Sequence, residues 1–143
     1  MTVLAELAVR TTIDAPPQRV WDYVTDWERQ GEWIPATRVR VQGDGLVART
    51  SIGPFGFTDP MCIRTWQPPR RCEMVHTGRV VHGSGVFECR DDSGVTTFVW
   101  TERVDVPGGP LAPALWAVAR RPLRAGLEYA LRRLRDRIEG NTA

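Results

Sequence analysis

The sequence predicts an α+β fold in which a long C-terminal helix packs against a curved antiparallel sheet of about seven strands. Between residues 38 and 106, short segments alternate apolar and polar residues and are separated by turn-forming residues. From Leu111 to Glu139, apolar residues then recur every three or four positions, the spacing of one face of a helix. The links between the strands are short, which indicates hairpins and therefore an antiparallel sheet.

Length and composition limit the class of protein. The chain has 143 residues, of which 42% are hydrophobic and 25% are charged. This suits one folded domain, residues 1–143, and argues against disorder. No apolar run approaches the roughly 20 residues of a membrane span, and no basic segment followed by an apolar core marks the N-terminus. Cys62, Cys72 and Cys89 are odd in number and form no CxxC pair, so we expect reduced thiols, no metal site and a cytoplasmic protein.

The N-terminal part is predicted to form one strand and two short helices. Residues Leu4–Ile13 alternate in polarity and read as the first strand. Pro16 and Pro17 suit the first turn of the helix that follows, where a missing N–H costs little. Asp26 suits the cap of a second short helix that ends near Trp33.

Six further strands follow. We predict them at Arg38–Val41, Leu46–Ile52, Phe57–Trp66, Arg71–Thr77, Val81–Arg90 and Val95–Val106. The segment 53–56 (GPFG) is expected to be a loop, and residues 77–80 and 91–94 are expected to be turns.

The long helix has an apolar stripe and a basic character. The stripe comprises Leu115, Ala119, Leu123, Leu127, Leu131, Leu134 and Ile138. Pro122 and Gly126 lie inside the helix and predict a bend near Arg121. All nineteen basic residues of the chain are arginine, and seven of them lie in this helix with three acids, a net charge of +4.

Two interpretations of this basic helix differ in function. It could be a surface for nucleic acid or an anionic membrane, or a solvated face whose arginine stems cover apolar ground. No recognition-helix arrangement, Gly-rich phosphate loop or zinc-finger spacing accompanies it. We therefore favour the solvated face and predict no nucleic-acid partner.

Glu102 and His76 are the candidate catalytic residues. Glu102 shares the apolar face of its strand with Phe98 and Trp100, and a carboxylate there must be paired, hydrogen-bonded or protonated. Counting back from the turns places Glu102 opposite Gly83 and Gly83 opposite His76. A glycine between them would leave an open floor above which the two side chains meet as an acid–base pair. The alternatives are a structural ion pair for Glu102 and a hydrogen-bonded structural role for His76.

Several further residues are predicted to line a cavity between the sheet and the long helix. Asp59, Met61 and Met74 could lie on the same face of the sheet, although Asp59 precedes a proline and suits a turn or an edge equally well. The remaining candidates are apolar: Trp33, Phe98, Trp100, Trp116, Leu123 and Leu127. Aromatic walls with a few polar groups are typical of small-molecule pockets, and they are equally typical of a plain core.

Three segments carry a resemblance to a known superfamily. They are the strand-to-helix joint at 14–21 (DAPPQRVW), the corner at 66–71 (WQPPRR) and the strand segment 98–102 (FVWTE). With the tryptophans up to Trp33, this ordered set resembles the START-like superfamily (SRPBCC), which includes the Bet v 1-like proteins and the polyketide cyclase/dehydrase and lipid-transport group. The resemblance runs from about Leu7 to Glu139. It implies a helix-grip fold with a deep cavity, and it leaves the reaction open. Glu102 departs from the general pattern, which has an apolar residue there.

Three functions follow as hypotheses. The first is binding of a hydrophobic small molecule, lipid-like or polyketide-like, in the cavity. The second is a polyketide cyclase/dehydratase-type enzyme that uses Glu102 and His76 as acid and base. The third is a protein-interaction module that works through the basic helix. Dinucleotide fingerprints, GxSxG and HExxH are absent from the sequence, so we predict no cofactor. The oligomeric state stays open, and a homo-oligomer is compatible with the sequence.

Overall fold

The computed structural model describes residues 3–79 and 81–140. The elements are β1 (Val3–Ile13), α1 (Pro17–Val24), the 3-10 helix η1 (Trp27–Glu32), β2 (Thr37–Gln42), β3 (Gly45–Ile52), β4 (Phe55–Gln67), β5 (Arg71–His76), β6 (Gly83–Asp92), β7 (Val95–Val106), the short 3-10 helix η2 (Gly109–Leu111) and α2 (Ala112–Gly140).

The seven strands form one curved antiparallel sheet in the order β1-β7-β6-β5-β4-β3-β2. Consecutive strands from β2 to β7 are neighbours, and β1 closes the series by pairing with β7 along its whole length. The predicted α+β, helix-grip architecture is therefore confirmed. Within the described ranges, no helix is long and apolar enough to cross a bilayer.

The hairpin turns are tighter than the sequence analysis expected. Phe55 and Gly56, predicted as loop, belong to β4, because Ile52 already pairs with Phe55 across a two-residue turn. Ser93 and Gly94 likewise form the whole turn between β6 and β7, and both have positive φ, as a type I′ turn requires. Of the other predicted turn, at 77–80, Val80 lies outside the described residues.

The tight turn corrects a predicted register. Because Asp92 pairs with Val95, Glu102 lies opposite Gly85, whereas a four-residue turn would have placed it opposite Gly83. The predicted pairing of Gly83 with His76 is present. A shift of two residues keeps the same face of the strand, so Glu102 and His76 still lie on one side of the sheet.

Besides Ala112 at its start, which packs with Ala5 and Val106, helix α2 packs through its C-terminal half. Its buried residues there are Leu127, Ala130, Leu131, Leu134 and Ile138. In the first half, Leu115 and Leu123 of the predicted stripe are 47% and 37% exposed. The helix continues through Pro122 without a break in its assignment.

An aromatic group fills the core beneath the sheet. Trp33, which is fully buried, contacts Phe87, Phe98 and Trp100, with ring centroids 5.7–6.3 Å apart. Its indole N–H has no hydrogen-bond partner. Cys72 and Cys89 are buried thiols, as expected, and burial raises the pKa of each to about 12; Cys62 is exposed.

Candidate functional site

A cavity of about 140 Å³ lies on the concave face of the sheet. Strands β2 to β7 each contribute alternate residues to its wall, because every second side chain of a strand points to the same face. Its other side is formed by Trp27 and Gln30 of η1 and by Ile34 just after it. No residue of α2 lines it, so the cavity lies between the sheet and the η1 segment. The sequence predicts the cavity beneath the long helix, and that prediction is wrong for this cavity.

Three titratable side chains form a continuous hydrogen-bonded cluster in this wall. His76 Nδ1 lies 2.9 Å and 3.0 Å from the two carboxylate oxygens of Asp59, and His76 Nε2 lies 3.1 Å from Glu102 Oε2. The indole N–H of Trp100 donates to Glu102 Oε1 at 2.9 Å. The side chains of His76, Asp59 and Glu102 are 7%, 11% and 15% exposed. The carboxylates are therefore held by specific partners within a largely buried site.

Gly85 makes room for this contact. A Cβ at Gly85 would lie 2.8 Å from Glu102 Oε1, so the absent side chain is the space that the carboxylate occupies. Glu102 reaches His76 across β6 because β6 presents bare backbone at this point. The open floor is present, but it lies at Gly85 and not at the predicted Gly83.

The two carboxylates hold the imidazole in its charged form. Burial disfavours the imidazolium, but hydrogen bonds to Asp59 and Glu102, together with their negative charges, outweigh burial and raise the pKa of His76 from 6.5 to about 10. With both ring nitrogens carrying protons, each donates to one carboxylate. An imidazolium between two carboxylates carries a net charge of −1.

The cluster has acceptors to offer a ligand but no spare donors. Both N–H groups of His76 and the N–H of Trp100 are engaged, whereas each ionised carboxylate oxygen can accept a further hydrogen bond. Since both imidazole nitrogens face carboxylates, His76 is not disposed to ligate a metal. Within residues 3–79 and 81–140, no group of three His, Cys, Asp or Glu side chains could hold a metal ion.

The structure brings together six of the predicted site residues. Glu102, His76, Asp59, Met61, Met74 and Trp100 line the cavity. Asp59 is buried in β4, pairs with Ala48 of β3 and occupies neither a turn nor a sheet edge.

Six other residues predicted to line the cavity lie elsewhere. Gly83 does not lie opposite Glu102 and does not line the cavity. Trp33 and Phe98 are fully buried in the aromatic core. Leu127 packs in the core below α2, and Trp116 is partly buried against the same core. Leu123 is on the exposed half of α2.

Ten further residues that were not predicted line the cavity. They are Trp27, Gln30, Ile34, Thr37, Val39, Leu46, Ala48, Thr50, Gly85 and Phe87. Those on β2 and β3 follow a period-two alternation that was visible in the sequence. Trp27, Gln30 and Ile34 carried no such signal, because a short 3-10 helix has no long apolar periodicity.

The helix-grip sheet and its lined cavity define the START-like fold class. The sequence model of the family described as polyketide cyclase / dehydrase and lipid transport matches residues 5–139. The chain belongs to that family. No curated protein matches the sequence.

Solved structures share the fold at low sequence identity. The Zhui aromatase/cyclase from Streptomyces sp. R1128 is 18% identical, with a TM-score of 0.73 over 95% of this chain and 96% of that one. A START superfamily protein from Mycobacterium smegmatis is 13% identical, with a TM-score of 0.72 over 96% and 99%. The di-domain aromatase/cyclase StfQ of the steffimycin pathway is 11% identical, with a TM-score of 0.79 over 96% of this chain and 51% of that one. These similarities concern the fold.

Proposed function

We propose that this protein binds a small hydrophobic molecule whose hydroxyl, phenol or amine group donates a hydrogen bond to the Asp59–His76–Glu102 cluster. The observation that carries the proposal is the cluster itself, an acceptor-only group of net charge −1 in an otherwise mainly apolar wall. A ligand carboxylate would meet like charge in a site of low dielectric, where repulsion is poorly screened. The cytoplasmic location and the absence of a nucleic-acid partner belong to the same proposal.

The size of the cavity limits the ligand that fits without rearrangement. Its volume of about 140 Å³ suits a single ring or a short chain, whereas pockets for drug-sized ligands span roughly 300–1,000 Å³. A polycyclic ligand requires the η1 side, with Trp27 and Ile34, to move away from the sheet. Single-ring probes therefore test the site as it stands.

Matched probes test the polar preference. We expect para-cresol to bind more tightly than toluene, and para-toluate to bind roughly tenfold more weakly than para-cresol at neutral pH. Calorimetric titration measures all three affinities. In Glu102→Gln the loss of one negative charge should narrow the difference between para-cresol and para-toluate. The proposal fails if para-toluate binds as well as para-cresol, or if neither binds the folded protein.

A second candidate function is acid–base catalysis of a cyclase/dehydratase type. The contact between His76 Nε2 and Glu102 Oε2 favours it, with Asp59 fixing the far side of the ring. In a dehydration, Glu102 would take the proton from the carbon next to a carbonyl, and His76 would give the leaving hydroxyl the Nε2 proton that it otherwise donates to Glu102. Water leaves as the carbon–carbon double bond forms. The proton on Glu102 then returns to the neutral imidazole beside it.

A model substrate tests this candidate. The aldol of benzaldehyde and acetone is a single-ring β-hydroxyketone, and its dehydration produces a strongly absorbing enone. We expect enzyme-dependent formation of the enone, and a loss of about 100-fold in Glu102→Gln and in His76→Gln. A rate equal to that in buffer, or one that neither substitution changes, would leave ligand binding as the function.

A further inference from the structure

Helix α2, together with Leu111 of η2 just before it, carries a second apolar stripe on the side that faces solvent. We call Leu111, Leu115, Val118, Pro122, Ala125 and Tyr129 the outer stripe; all six are exposed. Leu111 and Val118 are 72% and 76% exposed. The residues follow one another at steps of four and three, which aligns them along one side of a helix. Scattered apolar residues are normal on a surface, but a contiguous row indicates an interaction site.

The outer stripe lies opposite the packing face of the helix. Val118 and Leu127 are nine residues apart, about two and a half turns, and therefore point to opposite sides. Pro122 and Leu131 are related in the same way. Since the C-terminal packing face is already buried in the core, the outer stripe is available to another surface without any change in the fold.

Within the first four turns, Arg121 lies beside the outer stripe, three residues after Val118, whereas Arg120 and Arg124, each two residues after a stripe residue, project away from it. Residues 111–125 contain Arg120, Arg121 and Arg124 and no acid. In the described part of the chain, Arg120 and Arg121 have no carboxylate partner, while Arg124 pairs with Glu128 at 3.7 Å. Further along, Arg132 and Arg133 lie over the ring of Tyr129, each 5.9 Å from its centre. Apolar residues flanked by arginines match a surface that is negatively charged outside and apolar beneath.

We propose that the outer stripe docks this protein on an anionic lipid bilayer, with α2 parallel to the membrane plane. A straight row of side chains on a convex helix, about 21 Å from Leu115 to Tyr129, fits a fluid planar surface. The leucines and the valine would enter the boundary between headgroups and acyl chains, and the arginines would contact the phosphates.

A second copy of this chain fits the outer stripe less well. The stripe is centred near Arg120, so an antiparallel pairing of two stripes would bring Arg121 of both copies close together. Neither copy has an acid between residues 111 and 125 to offset this charge, and like charges at close range oppose association.

Vesicle sedimentation tests the proposal. We expect the full chain to bind vesicles that contain one third phosphatidylglycerol, to ignore vesicles of phosphatidylcholine alone, and to lose binding at high salt. The double variant Leu115→Ser/Val118→Ser should bind roughly tenfold more weakly. Val41→Ser/Phe55→Ser is the matched control, because it removes two apolar side chains that are 53% and 79% exposed on the β2–β3 and β3–β4 hairpins.

A second pair of variants tests the contribution of the arginines to vesicle binding. Arg121→Gln/Arg132→Gln should weaken binding to anionic vesicles, whereas Arg38→Gln/Arg40→Gln removes the same charge from exposed positions on β2 and should not. Light scattering of the wild type and of the stripe variant reports the oligomeric state. The proposal is wrong if the protein does not bind vesicles, or if binding survives both α2 variants. It is also wrong if the wild type is a dimer and the stripe variant is a monomer, or if the protein binds polyglutamate and not vesicles.

Discussion

His76 Nε2 lies 3.1 Å from Glu102 Oε2, and the two side chains meet above the bare backbone of Gly85. Their strands are not neighbours, since β6 runs between β5 and β7. The contact therefore depends on the turn that sets the β6–β7 register and on a glycine at one position. Charge, packing and register can each be tested at this point.

The pH dependence of stability should report the charge on His76. The pKa of His76 is raised to about 10 in the folded state from 6.5 in the unfolded state. Between these two pH values the folded state therefore binds one more proton than the unfolded state. The stabilisation is fully present below pH 6.5 and is lost as the pH rises through about 10. We expect a loss on the order of 3–5 kcal/mol across this range. Urea unfolding at several pH values measures it.

Two histidine variants complete that experiment. His76→Gln should flatten the slope, while His82→Gln, at the other histidine and exposed, should leave it unchanged. Nuclear magnetic resonance of the imidazole gives the pKa directly. An ordinary value for His76 would show that the cluster does not hold a charged ring.

Glu102→Gln should lower stability at neutral pH. The substitution keeps the shape and removes one of the two charges that hold the imidazolium, so we expect a loss of about 1–3 kcal/mol in the free energy of unfolding. The pKa of His76 should fall in the same variant. Glu6→Gln is the control, because Glu6 and Arg103 form an ion pair in which both side chains are more than half exposed, and its loss should not exceed about 0.5 kcal/mol. If Glu102→Gln changes neither stability nor ligand affinity, the site assignment is wrong.

Gly85→Ala should move the Glu102 carboxylate away from His76 without unfolding the protein. The new methyl group would meet the end of the flexible Glu102 side chain, so the carboxylate moves and the backbone stays. We expect the pKa of His76 to fall toward its ordinary value, measured by nuclear magnetic resonance. Gly126→Ala is the matched change, since no atom lies within 4 Å of its added Cβ, and it should stabilise α2 by about 0.5–1 kcal/mol. An unchanged His76 pKa in Gly85→Ala would contradict this account.

The two halves of α2 should respond differently to truncation. Leu134 is fully buried, so Leu134→Ala should lower the free energy of unfolding by about 2–5 kcal/mol. Leu123 is 37% exposed, and Leu123→Ala should cost less than about 1 kcal/mol. Denaturant unfolding compares the two variants. Equal losses would mean that the first half of the helix packs as tightly as the second.

The sequence was sufficient for the architecture because its signals were local. Alternation in β7 placed Glu102 and Trp100 on one face, and the structure agrees. The predicted register between β6 and β7 was wrong because the segment 91–94 (DDSG) suits either a two-residue or a four-residue turn. The choice between them is made by the pairing of the whole hairpin.

The cavity was harder to place because tertiary packing decides it. Helix α2 is apolar on two opposite sides in its first half, and periodicity alone does not say which side packs, as Leu115 and Leu123 show. The η1 segment forms the other side of the cavity through Trp27 and Ile34. Nothing in its six residues indicated that it, and not the long helix, would cover this part of the sheet.

The cavity wall takes two or three residues from each of six consecutive strands, and this has a consequence for evolution. The residues that set its width on β2 and β3, such as Val39 and Ala48, are separate from the Asp59–His76–Glu102 cluster on β4, β5 and β7. Substitutions at the former can reshape the cavity one methyl group at a time while the charged partners keep their geometry. Lineages that share this scaffold can therefore diversify in the molecules they accept without having to rebuild the polar centre.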